Sequence, residues 1–194
     1  MVTIALGIIW FVVFASLVAN GLWTNMLMTI NVMLAILVAG NYYEPLAAFF
    51  DKQWPKYTYL WDFVSLWMIF GLTFMILRAA TDQLSKVRVR FRKPVEIGGG
   101  ILFALGTAAS MMSFTNFTMH TAPLARNFMR ESFQPDPRVP GPDARVRAMY
   151  GITSAGSLSR WKPNVFDADP QNPFVYRYGW RRAEFEKQLT TAKK

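Results

Sequence analysis

The feature that most constrains this chain is a missing one: from Met1 to Tyr43 there is no Asp, Glu, Lys, Arg or His, and Glu44 is the first charged residue. A domain folded in water needs charge on its outer faces, so an uncharged stretch of that length has no place there. Lipid is the solvent that suits it. Within the stretch, Val2 to Ala19 and Met26 to Tyr43 are two apolar runs separated by Asn20-Gly21. Each approaches the ~20 residues needed to cross ~30 Å of hydrocarbon. We read them as a helical hairpin. A cleaved secretory signal is disfavoured, because no Lys or Arg precedes the first run and the apolar character resumes after the break.

Two further runs follow, Leu60 to Leu77 and Ile97 to Met119. The spacing predicts an all-α integral membrane protein, a four-helix transmembrane bundle over residues 1–119 with spans at about 2–19, 26–43, 60–77 and 97–119. Between the second and third runs, "EPLAAFFDKQWPKYTYLWD" mixes Pro45 and Pro55 with Trp54, Tyr57, Tyr59 and Trp61 just after Tyr42 and Tyr43. Such rings favour the headgroup zone, so this reads as a connector lying along one membrane surface. The fourth run carries small residues, Gly98, Gly106 and Ser110, at four-residue multiples. With Gly21 at the hairpin turn, these are the candidates for close helix approach. Residues 120–194 form a polar tail, largely irregular, with four prolines in "FQPDPRVPGPD" and a short terminal helix in "RRAEFEKQLTTAKK".

The net charge of +9 invites a nucleic-acid reading. Its placement argues for topology instead. Arg78, Lys86, Arg88, Arg90, Arg92 and Lys93 crowd the loop between the third and fourth runs against Asp82 alone. Short basic loops stay cytoplasmic. The hairpin turn at Gly21 then lies inside, while the aromatic connector and both chain ends lie outside. The same strip would attract anionic headgroups at about 1 kcal/mol per basic residue. It lacks the stacking aromatics that a nucleic-acid surface needs, Phe91 aside, so no nucleic-acid partner is expected.

Chemistry is hard to find. One histidine, His120, and no cysteine give no metal constellation and no partnered nucleophile. Gly98-Gly99-Gly100 is followed by Ile101-Leu102, where a phosphate loop requires Lys and Ser or Thr. No catalytic, cofactor or metal site is therefore expected, and no enzyme. The intramembrane polar candidates are Asn31, Asp62 and Asn116, with Thr29 and Thr73 as packing hydroxyls. Asp62 is expected near a helix end, where a carboxylate still reaches water. A small transporter or channel would need these groups to line one wet path.

Three stretches carry a resemblance to the colicin V production protein (CvpA-like) family of bacterial inner-membrane proteins. They are "SLVANGLW" at the first-helix exit, "LVAGNYYEPLAAFF" at the second and "VEIGGGILFALGTAAS" in the Gly-rich fourth helix. Asn20 stands where the family usually has an arginine, Pro94-Val95 where it has Asp-Arg, Leu102 where it has a glycine and Leu105 where it has an arginine. The resemblance implies a non-enzymatic multi-pass protein of the inner membrane, linked to toxin production or export and to envelope integrity. It leaves self-association or other membrane subunits as partners. An accessory or scaffold subunit of a larger membrane complex is the alternative reading.

Overall fold

A computed structural model describes residues 2–85, 89 and 91–122 and, near the C-terminus, residues 178, 181, 183–185, 187, 188, 190 and 191. Among these every regular element is a helix. The elements are α1 (Val2–Leu17), α2 (Leu22–Gln53), a single 3-10 turn (Pro55–Tyr57), α3 (Thr58–Leu84) and α4 (Lys93–Thr121). In hydrocarbon every backbone N–H and C=O must be satisfied within its own segment, which leaves the α-helix as the structure such runs adopt.

Three helices are long and apolar enough to cross a bilayer: Leu22–Gln53, Pro55–Leu84 (the turn with α3) and Lys93–Met119. The first run gives only 16 residues of helix, or about 24 Å at 1.5 Å per residue, somewhat short of a full hydrocarbon core. It ends at Leu17, two residues before the expected limit, where Asn20 N–H bonds back to Leu17 O at 2.9 Å and starts the turn.

The second helix corrects the surface-connector expectation. It does not stop near Tyr43 but continues through Pro45 to Gln53. Proline deletes one backbone bond, a loss that membrane helices tolerate where neighbours re-satisfy the freed groups. At 32 residues α2 outlasts the hydrocarbon, so its final turns, with Asp51 and Lys52, project past it. Tyr43 is fully buried among the helices. Trp54, by contrast, is exposed, its ring tilted against that of Trp61 at 5.8 Å.

Contacts fix the helix directions. Asn25 reaches Gly100 and Thr29 reaches Phe103 and Thr107, so α2 and α4 run parallel. Asn31 meets Thr81 and Asp51 meets Thr58, so α2 and α3 run antiparallel. Gly21 and the α3–α4 connection therefore share one end of the bundle, and the α2–α3 connection occupies the other. The packed centre joins Val32, Ala35, Ile36, Ala39 and Tyr43 of α2 to Leu66 and Phe70 of α3 and Phe114 and Phe117 of α4.

The polarity of the bundle is inverted relative to a water-soluble one. Asn25, Asn31, Ser65, Thr107, Ser113 and Thr118 are buried, while Ile4, Phe11, Leu72, Met75, Ile76 and Leu102 are exposed. Water would expel that outer surface, and lipid accepts it.

Candidate functional site

Two places concentrate polar groups, one at each end of the bundle. At the end holding the hairpin turn, Asn25 sits where α1, α2 and α4 meet. Its Nδ2 donates to Leu17 O at 3.0 Å and to Gly100 O at 2.9 Å. One turn further, Thr29 Oγ1 pairs with Thr107 Oγ1 at 2.8 Å. The α3 exit is held there as well, because Trp23 Nε1 donates to Ser85 Oγ at 2.6 Å. The donors of Asn25 and the hydroxyl of Thr29 are met by main-chain and hydroxyl partners, which suits a structural joint, while Asn25 Oδ1 is buried with no partner among the described residues.

The glycine assignments change with this geometry. A Cβ added at Gly98 or at Gly106 meets nothing within 4 Å among the described residues, so neither position is a close approach between the described helices. The tight positions are Gly99, against the Leu22 side chain, and Gly100, where a Cβ would lie 3.2 Å from Asn20 O and 3.4 Å from Leu22 N. Gly21 is a lesser constraint, because what its Cβ would meet is the flexible end of Glu96, at 2.7 Å. Ser110 bonds back to Gly106 O at 2.8 Å within its own helix. The small residues that let helices close are alanines four apart, Ala35 and Ala39 on α2 and Ala104 and Ala108 on α4, all fully buried.

Asn31 stands apart from the other two polar candidates, because the parallel course of α2 and α4 puts Asn116 at the same end of the bundle as Asp62. Asn31 donates to Thr81 Oγ1 at 3.0 Å in the half nearer the hairpin turn. Asn116 is buried near the C-terminal end of α4. Asp62 lies on α3 at the far end. In the basic strip, Arg78 pairs with Asp82 one turn on, at 3.0 Å. Arg92 and Lys93 start α4 and are exposed, while Lys86, Arg88 and Arg90 fall outside the described residues, as does most of the tail.

Asp62 anchors the second polar place. A cavity of about 390 Å³ opens beside it, lined by Glu44, Pro45, Asp51, Trp61, Tyr178 and Arg181 among others. Arg181 forms an ion pair with Asp62 through Nη1 and donates from Nη2 to Thr58 O at 3.2 Å. Its guanidinium faces the rings of Tyr59 and Tyr178 at 5.9 and 5.7 Å. Tyr178 is buried in the core cluster, donates to Asp62 Oδ2 at 3.0 Å and shares a 3.1 Å hydrogen bond with the Tyr43 hydroxyl. Phe185 adds a ring contact to Tyr59 at 5.2 Å. Tyr178, Arg181 and Phe185 are all helical.

Sequence reasoning missed Tyr178 and Arg181. The signal was present in Asp62 itself: a carboxylate inside an apolar run asks for a named basic partner, and the tail holds the arginines.

A lipid-facing apolar exterior, buried amides and hydroxyls, and helices of spanning length define a multi-pass helical membrane protein. The chain belongs to the colicin V production protein family, whose sequence profile matches residues 2–134. No curated relative matches it, and no solved structure does. The match takes in α1 to α4, and the helical residues Tyr178 and Arg181 lie beyond it.

Proposed function

We propose that this chain is a non-enzymatic subunit of the bacterial inner membrane that supports production or export of a peptide toxin of the colicin V kind and contributes to envelope integrity. The observation that carries the reading is family membership over α1 to α4. Amides and hydroxyls buried between the helices support it by acting as joints, as Asn25 does with Gly100 O and Thr29 with Thr107. The test is secretion. In cells that encode a colicin V-type toxin with its exporter, deleting this gene should shrink the killing zone on a sensitive lawn, and plasmid-borne protein should restore it. Unchanged zones with normal toxin synthesis would count against the role.

The proposed arrangement has four spans, with both termini outside. The short α1 crosses by local bilayer thinning, a modest cost per ångström of mismatch. The basic strip keeps the α3–α4 connection in the cytoplasm and leaves it against anionic headgroups. Reporter fusions after Gly21 and Arg90 should then give cytoplasmic signals, and fusions after Trp54 and Lys194 exported ones. A cytoplasmic signal at Lys194 would remove α4 from the set of spans.

A second reading, an accessory or scaffold subunit of a larger membrane complex, is favoured by the open strip around Gly98 and Gly106, eight residues apart on α4. A partner helix or a second copy could approach closely there. Copurification of a stable heterocomplex from mild detergent separates this reading from the first. A transporter or channel, the third possibility, would require flux in liposomes that contain this chain alone.

A further inference from the structure

We propose that the α2–α3 end of the bundle carries a binding site for an alkylguanidinium, and that Arg181 occupies this site as a tethered ligand. A guanidinium is recognised by acceptors in its plane and aromatic faces against it. Both kinds are assembled here: the Asp62 carboxylate, the Thr58 carbonyl oxygen at 3.2 Å, and the ring of Tyr59 at 5.9 Å. These groups belong to the region matched by the family, whereas the cation that fills them comes from 119 residues further along the chain, outside that match.

The cavity extends the site beyond the charge. Its ~390 Å³ falls within the ~300–1,000 Å³ typical of small-molecule pockets and far exceeds the space one ion needs. Pro45, Ala47, Ala48 and Trp61 give it an apolar wall suited to an alkyl stem. Asp51, held by the Thr58 hydroxyl at 2.6 Å, supplies a second carboxylate on the same lining. A tethered arginine has a high effective concentration, so a free cation binds when the Arg181 side chain leaves the site. The site stands apart from the role in toxin production, and either can fail without the other.

The test is chemical rescue of the full chain in detergent. R181A is melted with increasing n-butylguanidinium and, at matched ionic strength, with n-butylurea, a neutral molecule of the same shape. The expected result is a saturable rise in Tm for R181A with butylguanidinium, at about tenfold lower concentration than any effect of butylurea, since a charge-assisted pair is the stronger one. Wild-type protein should respond little, and R181A/D62N should not respond. Equal response to both probes, no response, or rescue that survives loss of Asp62 would overturn the site. A wild-type response as large as that of R181A would overturn occupancy by Arg181. Should R181A not stay monodisperse, R181Q, which keeps much of the side-chain bulk but removes the charge, is read in the same way.

Discussion

Gly100→Leu is expected to abolish recovery of a monodisperse protein from mild detergent, whereas Gly98→Leu and Gly106→Leu leave yield and elution volume unchanged. At Gly100 the neighbours are main-chain atoms of the hairpin turn, Asn20 O and Leu22 N, which cannot swing aside as a side-chain end can. An isobutyl group there has to push α4 off the turn. That displacement also breaks the bond from Asn25 Nδ2 to Gly100 O, leaving a buried amide short of a partner at the junction of three helices. Overpacking alone typically costs about 1–3 kcal/mol, and the lost bond adds on the order of 1 kcal/mol more in a membrane interior. Gly100→Ala asks its neighbours to give by only a few tenths of an ångström and should be much milder. A loss of yield for Gly98→Leu equal to that for Gly100→Leu would contradict the packing described.

Phe114→Ala is the second large effect. Phe114 is fully buried and meets Phe70 at 4.7 Å and Trp67 at 5.4 Å between ring centres. In a bilayer the transfer of an apolar side chain from water plays no part, because lipid is as apolar as the core. What remains is the void. Removing roughly 100 Å³ at ~24 cal/mol per Å³ of cavity costs about 2 kcal/mol. The corresponding drop in Tm is about 4–8 °C for a chain of this size. Leu72→Ala and Met75→Ala on the exposed face of α3 exchange one lipid contact for another and should melt within about 1 °C of the wild type. Equal destabilisation by Phe114→Ala and Met75→Ala would mean that the α3–α4 contact is not the packed interface.

The solvent of the fold could be read directly from residues. The uncharged run to Tyr43 demands lipid, and lipid demands helices, so the all-helical class follows from composition and backbone chemistry. Helix ends were less legible. Pro45 and the aromatic residues around it look like a boundary in any sequence, yet α2 runs on because its neighbours support it past the proline.

Helix faces were not legible at all. In water a buried face is apolar and an exposed one polar, and the contrast marks the interface. In lipid both faces are apolar, and the interface is set by size and fit. Gly98, Gly99 and Gly100 are chemically identical and differ only by ~100° of rotation per residue about one helix, but a neighbouring turn touches Gly99 and Gly100 and leaves Gly98 open.

By itself, then, the sequence determined the solvent, the class of secondary structure and the end of the bundle at which positive charge collects, because each follows from the chemistry of contiguous residues. Only the tertiary structure decided which glycine is indispensable and that Asp62 is answered by Arg181 across 119 positions. Such pairings depend on rotation and distance in space, and one-dimensional order carries no record of either.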